Sequence, residues 1–161
     1  IGVRRMAARN AVIRKLPAVE TLGATSVICT DKTGTLTRNE MTARRIVTPR
    51  HLLTVSGAGY APLGLIEAAE GDDAEALAGA LDLLRCALLC NDAVLAEGAE
   101  GWAVHGDPME GALVALGMKA GLDPAHVRGE WPRLDEIPFD AAHRFMATLH
   151  RAPDGGAVAF V

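Results

Sequence analysis

Short apolar runs bounded by turn-forming residues alternate along this chain with stretches of helical period. Residues 3–15 interleave Val3, Met6, Ala7, Val12 and Ile13 with Arg4, Arg5, Arg9, Arg14 and Lys15. This pattern predicts a basic amphipathic helix that ends near Pro17, its charged side either a solvated face or a surface for membrane or nucleic-acid contact. The run Ser26-Val27-Ile28-Cys29 predicts a short buried strand over Thr25–Thr30 that delivers Asp31 into a loop. Alternation at 43–47 and the run 51–56 predict two further strands. Asp72 or Asp73 can cap a helix over 74–90, with Leu77, Leu81, Leu84 and Leu88 facing a core. A weak strand over 101–104 precedes Asp107-Pro108-Met109-Glu110, where Asp107 suits the N-cap, Pro108 the first helical position and Glu110 the N3 position. Together they predict an acidic capping box, with Gly121 as the helix stop. Asp123-Pro124 opens a short helix that Trp131-Pro132 ends, and Asp154-Gly155-Gly156 predicts a hairpin turn between a strand at 147–150 and a final apolar strand.

Composition narrows the class. The 161 residues are 50% hydrophobic but only 4% aromatic, so the core must be built mainly from Ala, Leu, Val and Ile. A formal charge of −4 gives no general case for nucleic-acid binding. Cys29, Cys86 and Cys90 suggest no disulfide framework, and a reducing compartment is the simpler expectation. No apolar run approaches the roughly 20 residues a membrane helix needs. The chain begins without Met and stops within an apolar run, so both ends read as cut points of something longer.

Candidate chemistry centres on Cys29-Thr30-Asp31-Lys32-Thr33-Gly34-Thr35-Leu36-Thr37. Gly34 permits a tight turn and the threonines add hydroxyls. Asp31 is then a nucleophile, a Mg2+ ligand or simply a turn residue. Gly57-Ala58-Gly59-Tyr60-Ala61-Pro62-Leu63-Gly64 lacks a P-loop ending and reads as a glycine-rich loop rather than a phosphate cradle. Cys86 and Cys90 lie one helical turn apart, but with no clear third and fourth ligand core packing is expected rather than zinc. The five histidines show no zinc-ligand spacing. Phe139 near a turn is either a core residue or, beside a cation such as Arg144, a platform for a base.

The nonapeptide around Asp31 resembles, without a departure, the phosphorylation motif of P-type cation-transporting ATPases. The resemblance implies that Asp31 accepts the γ-phosphoryl group of ATP. It implies too that Lys32 contacts that group, that the Thr33 carbonyl and Asp31 help hold Mg2+, and that Thr35 orients phosphate. Two further strings resemble the same family in the expected order. Gly106-Asp107-Pro108-Met109-Glu110-Gly111-Ala112-Leu113 is similar to the type II nucleotide-domain signature, departing where Met109 replaces a hydroxyl residue, and implies that Glu110 borders adenine. Phe139-Asp140-Ala141-Ala142-His143-Arg144-Phe145-Met146 implies that Phe139 packs on adenine and that Arg144, in a place often held by Lys, contacts nucleotide, with His143 close by.

The implied architecture is α/β throughout. Residues 1–22 are a cytosolic stalk and linker, and 23–39 the start of an incomplete haloacid-dehalogenase-like phosphorylation domain. A hinge at 40–42 leads to a mixed α/β nucleotide-binding domain at 43–161, with an antiparallel sheet and flanking helices, truncated at its C-terminal side. The implied parent is an ATP-driven pump in a membrane, bacterial plasma membrane being the expectation, with calcium favoured as its cation. Its cofactors are ATP and Mg2+; its partners are ATP/ADP, the cation held by an absent transmembrane region, and the remaining phosphorylation, actuator and membrane domains. The piece itself is expected to be catalytically incomplete. The rivals are a Mg2+-dependent phosphatase, which Thr33 opposes because it stands where a second Asp would serve as acid and base, and a nucleotide-binding regulatory module without phosphoenzyme chemistry.

Overall fold

The computed structural model describes residues 2–12, 21–99 and 101–161 and divides into two units, residues 1–38 and 39–161. In the first unit α1 (Gly2–Ala7) carries Arg4 and Arg5 in its last turn. It stops well short of the predicted end because Asn10 takes a left-handed φ of 59°. The Ala11 N–H then donates to Met6 O at 2.9 Å and the Asn10 N–H to Ala7 O at 3.0 Å, the paired bonds that close a helix end. The rest of the predicted helix, 13–15, and Pro17 lie outside the described residues.

The strand predicted over 25–30 is not formed. Val27 and Ile28 are 72% and 76% exposed. An apolar tetrad becomes a strand only by pairing its backbone, and no described segment of this unit offers a ladder.

The second unit starts with a meander: β1 (Arg45–Val47), β2 (Leu52–Val55) and β3 (Ile66–Ala68), antiparallel in that order. The glycine-rich connection between β2 and β3 is structural. A Cβ on Gly57, at φ +82°, would run into the Leu63 carbonyl oxygen. From outside the loop, Lys119 Nζ donates to Ser56 O at 2.9 Å and an Arg44 guanidinium N–H to Gly57 O at 2.8 Å. Burial, with Arg44 nearby, lowers the Lys119 pKa.

The single helix predicted over 74–90 is two, α2 (Asp73–Gly79) and α3 (Leu81–Leu89). Asp72 caps α2 by accepting the Glu75 N–H at 2.9 Å. The break falls at Gly79-Ala80, where Gly79 brings its backbone against the His51 ring and offers little helical preference of its own. In α3 Leu84, Leu88 and Leu89 are buried, while Leu81, expected to face the core, is 36% exposed.

The hairpin β4 (Val94–Gly98) and β5 (Gly101–His105) leads to α4 (Pro108–Lys119) and α5 (Pro124–Glu130). A second three-stranded sheet, β6 (Arg133–Asp140), β7 (Phe145–Arg151) and β8 (Ala157–Phe160), closes the described chain. The predicted hairpin turn joins β7 to β8, with Gly155 at φ +87°. The unit is the expected mixed α/β body with flanking helices, but its strands form three antiparallel groups among the described residues rather than one sheet.

Two apolar clusters hold this unit together. Ile46, Leu53 and Val55 of the first sheet meet Ala76, Ala80, Leu84 and Leu116. Leu88, Leu89, Val114 and Val127 form the other, with Trp131 and Phe160 packed on them. Helix α4 approaches α3 closely because Gly117 has no side chain; a Cβ there would meet Leu88 carbons at 2.8 Å.

Candidate functional site

Helix α4 is capped as its sequence dictates on one side only. Asp107 Oδ1 accepts the N–H groups of Met109 at 2.8 Å and Glu110 at 3.3 Å. The predicted reciprocal bond is absent among the described contacts: Glu110 Oε2 accepts the Asp92 N–H, at 3.3 Å, rather than completing a capping box. The carboxylate is thereby tied through one oxygen to the segment after α3.

Asn91 makes that segment rigid. It is 1% exposed, and its amide donates to Ala87 O at 3.0 Å and Glu110 O at 2.9 Å while its oxygen accepts the Ala93 N–H at 2.8 Å. Two arginines cover carbonyls at and just beyond the end of α3, Arg133 reaching its last residue, where the helix presents its negative pole. Arg133 donates to Leu89 O and Asn91 O at 3.1 and 3.0 Å, and Arg128 to Ala93 O at 3.0 Å. Arg133 also bridges Asp92 at 2.7 Å and Glu136 at 2.6 Å. Burial opposes its charge, but these carboxylate bonds prevail and raise its pKa. This network was not anticipated from sequence; Asn91-Asp92 directly after a leucine-rich helix was the available signal.

The turn between β6 and β7 is drawn tight by Asp140. Its carbonyl accepts the N–H groups of Arg144 at 2.6 Å and His143 at 3.1 Å, and its Oδ1 accepts the Ala142 N–H at 2.7 Å. Arg144 is held at φ 60°, left-handed backbone that a non-glycine residue adopts at a cost. The register shift between Ile137 and Asp140 spans Pro138, which has no N–H for the ladder, and Phe139 stands 66% exposed beside it.

These elements meet around an open cavity of about 550 Å³. Glu110 from α4, Phe139 from β6 and Arg144 from the turn line it together. Its apolar wall includes Leu113, Phe145 and Val161, and its polar groups include Asp107. His143 does not line it; its ring sits 6.1 Å from that of Phe145. The two helix thiols, expected in the core, line the cavity instead, only partly buried. Cys86 Sγ donates to Val161 O at 3.9 Å and Cys90 Sγ to Met146 O at 3.8 Å. Burial, and then the neighbouring Cys90, push the Cys86 thiol pKa up.

An exposed aromatic face, a fixed carboxylate and a guanidinium around one cavity can hold a flat heteroaromatic base by stacking, accept a hydrogen bond from an amino group, and pair with an anion.

Asp31, Lys32, Thr33 and Thr35 belong to the other unit. There the Lys32 carbonyl accepts the N–H groups of Leu36 at 2.9 Å and Thr37 at 3.2 Å, winding the motif into a compact exposed turn. Among the described residues no group of three or more His, Cys, Asp or Glu side chains converges to hold a metal ion.

The second unit is thus a mixed α/β body of antiparallel sheets and flanking helices with one well-defined side-chain cluster at an open cavity. Residues 80–161 match the family described as P-type ATPase, cytoplasmic domain N, and the chain belongs to that family. It is 47% identical over 156 residues to the cation-transporting ATPase pma1 of Synechocystis, covering 93% of this chain and 17% of that protein. It is 48% identical over 155 residues to the probable cation-transporting ATPase F of Mycobacterium tuberculosis, covering 94% and 17%. Against the calcium-transporting ATPase of Bacillus subtilis it is 37% identical over 150 residues, covering 92% and 17%. The chain therefore spans about 17% of the length of these curated relatives. No helix among its described residues is long and apolar enough to cross a membrane.

Proposed function

We propose that residues 43–161 bind ATP through Glu110, Phe139 and Arg144, as the nucleotide-binding part of a cation pump. The observation that carries this reading is the shared cavity: three side chains from two sequence strings some thirty positions apart line one space. Phe139 stacks adenine, Glu110 accepts from the exocyclic amino group, and Arg144 pairs with phosphate. Residues 23–39 belong, on this reading, to a haloacid-dehalogenase-like phosphorylation domain, with 1–22 as stalk and 40–42 as hinge. Asp31 attacks the γ-phosphorus, its carboxylate oxygen forming the new bond as the bond to the β-bridging oxygen breaks and ADP leaves. Lys32 offsets charge on the transferring group and Thr35 orients it.

Asp31 and the Thr33 carbonyl suit Mg2+, a hard cation that takes oxygen ligands and completes its shell with substrate phosphate and water. When bound, the ion neutralises phosphate charge. Calcium is the favoured transported ion, on the strength of the calcium-transporting relatives, and the parent works at a membrane.

The test is nucleotide titration of the 161-residue chain into the millimolar range, followed by NMR. Phe139→Ala is expected to weaken ATP, ADP and AMP alike, by about 1–3 kcal/mol, because it removes the stacking surface common to all three. Unchanged ATP affinity in a variant with an intact spectrum defeats the adenine platform.

A further inference from the structure

Four sulfur-bearing side chains line the cavity: the thiols of Cys86 and Cys90 and the thioethers of Met109 and Met146. They come from three separate elements, α3 and its cap, the first turn of α4, and β7. The thiols are one helical turn apart, and that turn is intact, since the Cys90 N–H donates to Cys86 O at 2.9 Å. Side chains four apart on a helix have Cβ atoms roughly 5–6 Å from each other, within the span of two sulfurs sharing one ion. Neither thiol is in a disulfide, and each has only a long sulfur contact to a carbonyl holding it. Both are partly accessible from a cavity that is open to solvent.

We infer that this cavity is also a binding site for a soft monovalent metal ion, Cu(I), held by Cys86 and Cys90 Sγ with Met109 or Met146 Sδ as supporting ligand. Thiolate and thioether donors select Cu(I) over the harder ions that oxygen ligands hold; the two carboxylates on the same lining, Asp107 and Glu110, are already engaged by backbone N–H groups. Zinc is a weaker fit, because thioethers do not complete its usual tetrahedral set. Binding displaces the two thiol protons to solvent, with no change in oxidation state. Phe139 and Glu110 line the same cavity, so the bound ion excludes whatever else the cavity holds. Only that last consequence rests on the nucleotide reading.

The test uses Cu(I) alone, added anaerobically to the 161-residue chain in competition with a chromogenic Cu(I) chelator. One equivalent is expected to transfer to the protein. Cys86→Ser and Cys90→Ser should each weaken retention at least tenfold, Met109→Leu and Met146→Leu together by a few-fold, and Cys29→Ser not at all. Cys86→Ser places a small polar group at a half-exposed position, so it keeps the measurement open if the Cys90 variant misfolds. Full Cu(I) retention by Cys86→Ser, or loss of the ion on Cys29→Ser, overturns the site. ATP titration of the Cu(I)-loaded chain adds a separate arm: unloaded protein that binds ATP, with loaded protein that does not, supports the exclusion. Unaltered ATP binding by the loaded chain overturns the exclusion. Failure of the unloaded chain to bind ATP counts against the nucleotide reading alone, because chelator competition is scored without nucleotide.

Discussion

The Asp31 turn and the Phe139 cavity are built in opposite ways. The turn is local: its hydrogen bonds run between Lys32 and Thr37, and its side chains stand exposed. The cavity is non-local: Asn91 reaches Glu110, Arg133 reaches Leu89, and Cys90 reaches Met146, across 19, 44 and 56 positions. Local hydrogen bonding fixes a loop's shape without fixing what stands opposite it. A network of buried, satisfied polar groups fixes several side chains relative to one another, and loses them together when one member is removed. The two regions should therefore fail differently.

The largest effect is expected at Asp31. In the full-length parent, Asp31→Asn should abolish acid-stable labelling from γ-labelled ATP while nucleotide binding survives. An undiminished phosphoenzyme would remove the nucleophile assignment and leave the cavity standing.

Asn91→Ala probes the opposite region. It removes the amide contacts to Ala87 O and Glu110 O and leaves the buried Ala93 N–H without its side-chain acceptor, and should cost about 2–3 kcal/mol of stability in urea denaturation. The Glu110 resonances should shift with it, since the Asn91 amide holds the Glu110 carbonyl. A change below about 0.5 kcal/mol would show that the segment behind Glu110 is as locally held as the Asp31 turn.

Arg144→Ala should weaken ATP about three- to tenfold and adenosine little, the difference measuring a phosphate contact. Equal losses for the two ligands would move the guanidinium to the base or ribose.

The smallest effect concerns thiol reactivity. Burial and Cys90 raise the Cys86 pKa, so at pH 8 less of it is thiolate than for an ordinary thiol, and iodoacetamide should modify it several-fold more slowly than exposed Cys29. The same shift means that the folded chain keeps a proton the unfolded chain gives up. Stability should accordingly fall as pH rises past the ordinary thiol range, and Cys86→Ser should flatten that slope. Equal alkylation rates at the two cysteines would place Cys86 outside the cavity wall.

Much of the second unit's local structure was legible. Asp72, Asp107 and Asp123 each cap the helix that follows them, because a cap is a contact between residues two or three apart. The hairpin turn at Gly155 follows for the same reason. Less legible were β3, β4 and β6. Ile66–Ala68 is a strand through its pairing with Leu53–Val55, and the eight residues of Arg133–Asp140 contain a proline and show little alternation. The predicted strand at 25–30 fails on the converse ground, an apolar run without a ladder.

What the sequence alone determined is what neighbours along the chain can settle: helix starts, turn types, the order of three motif strings and, through them, the family. The tertiary structure decided the rest. It split one helix at Gly79-Ala80, redirected Glu110 from its own helix end to the Asp92 amide, and turned Cys86 and Cys90 from core residues into cavity wall. Each depends on a partner tens of residues away. Burial and hydrogen-bond satisfaction are properties of the packed whole, so periodicity along a helix can say that a thiol faces inward, but only packing says whether what it faces is a side chain or a cavity.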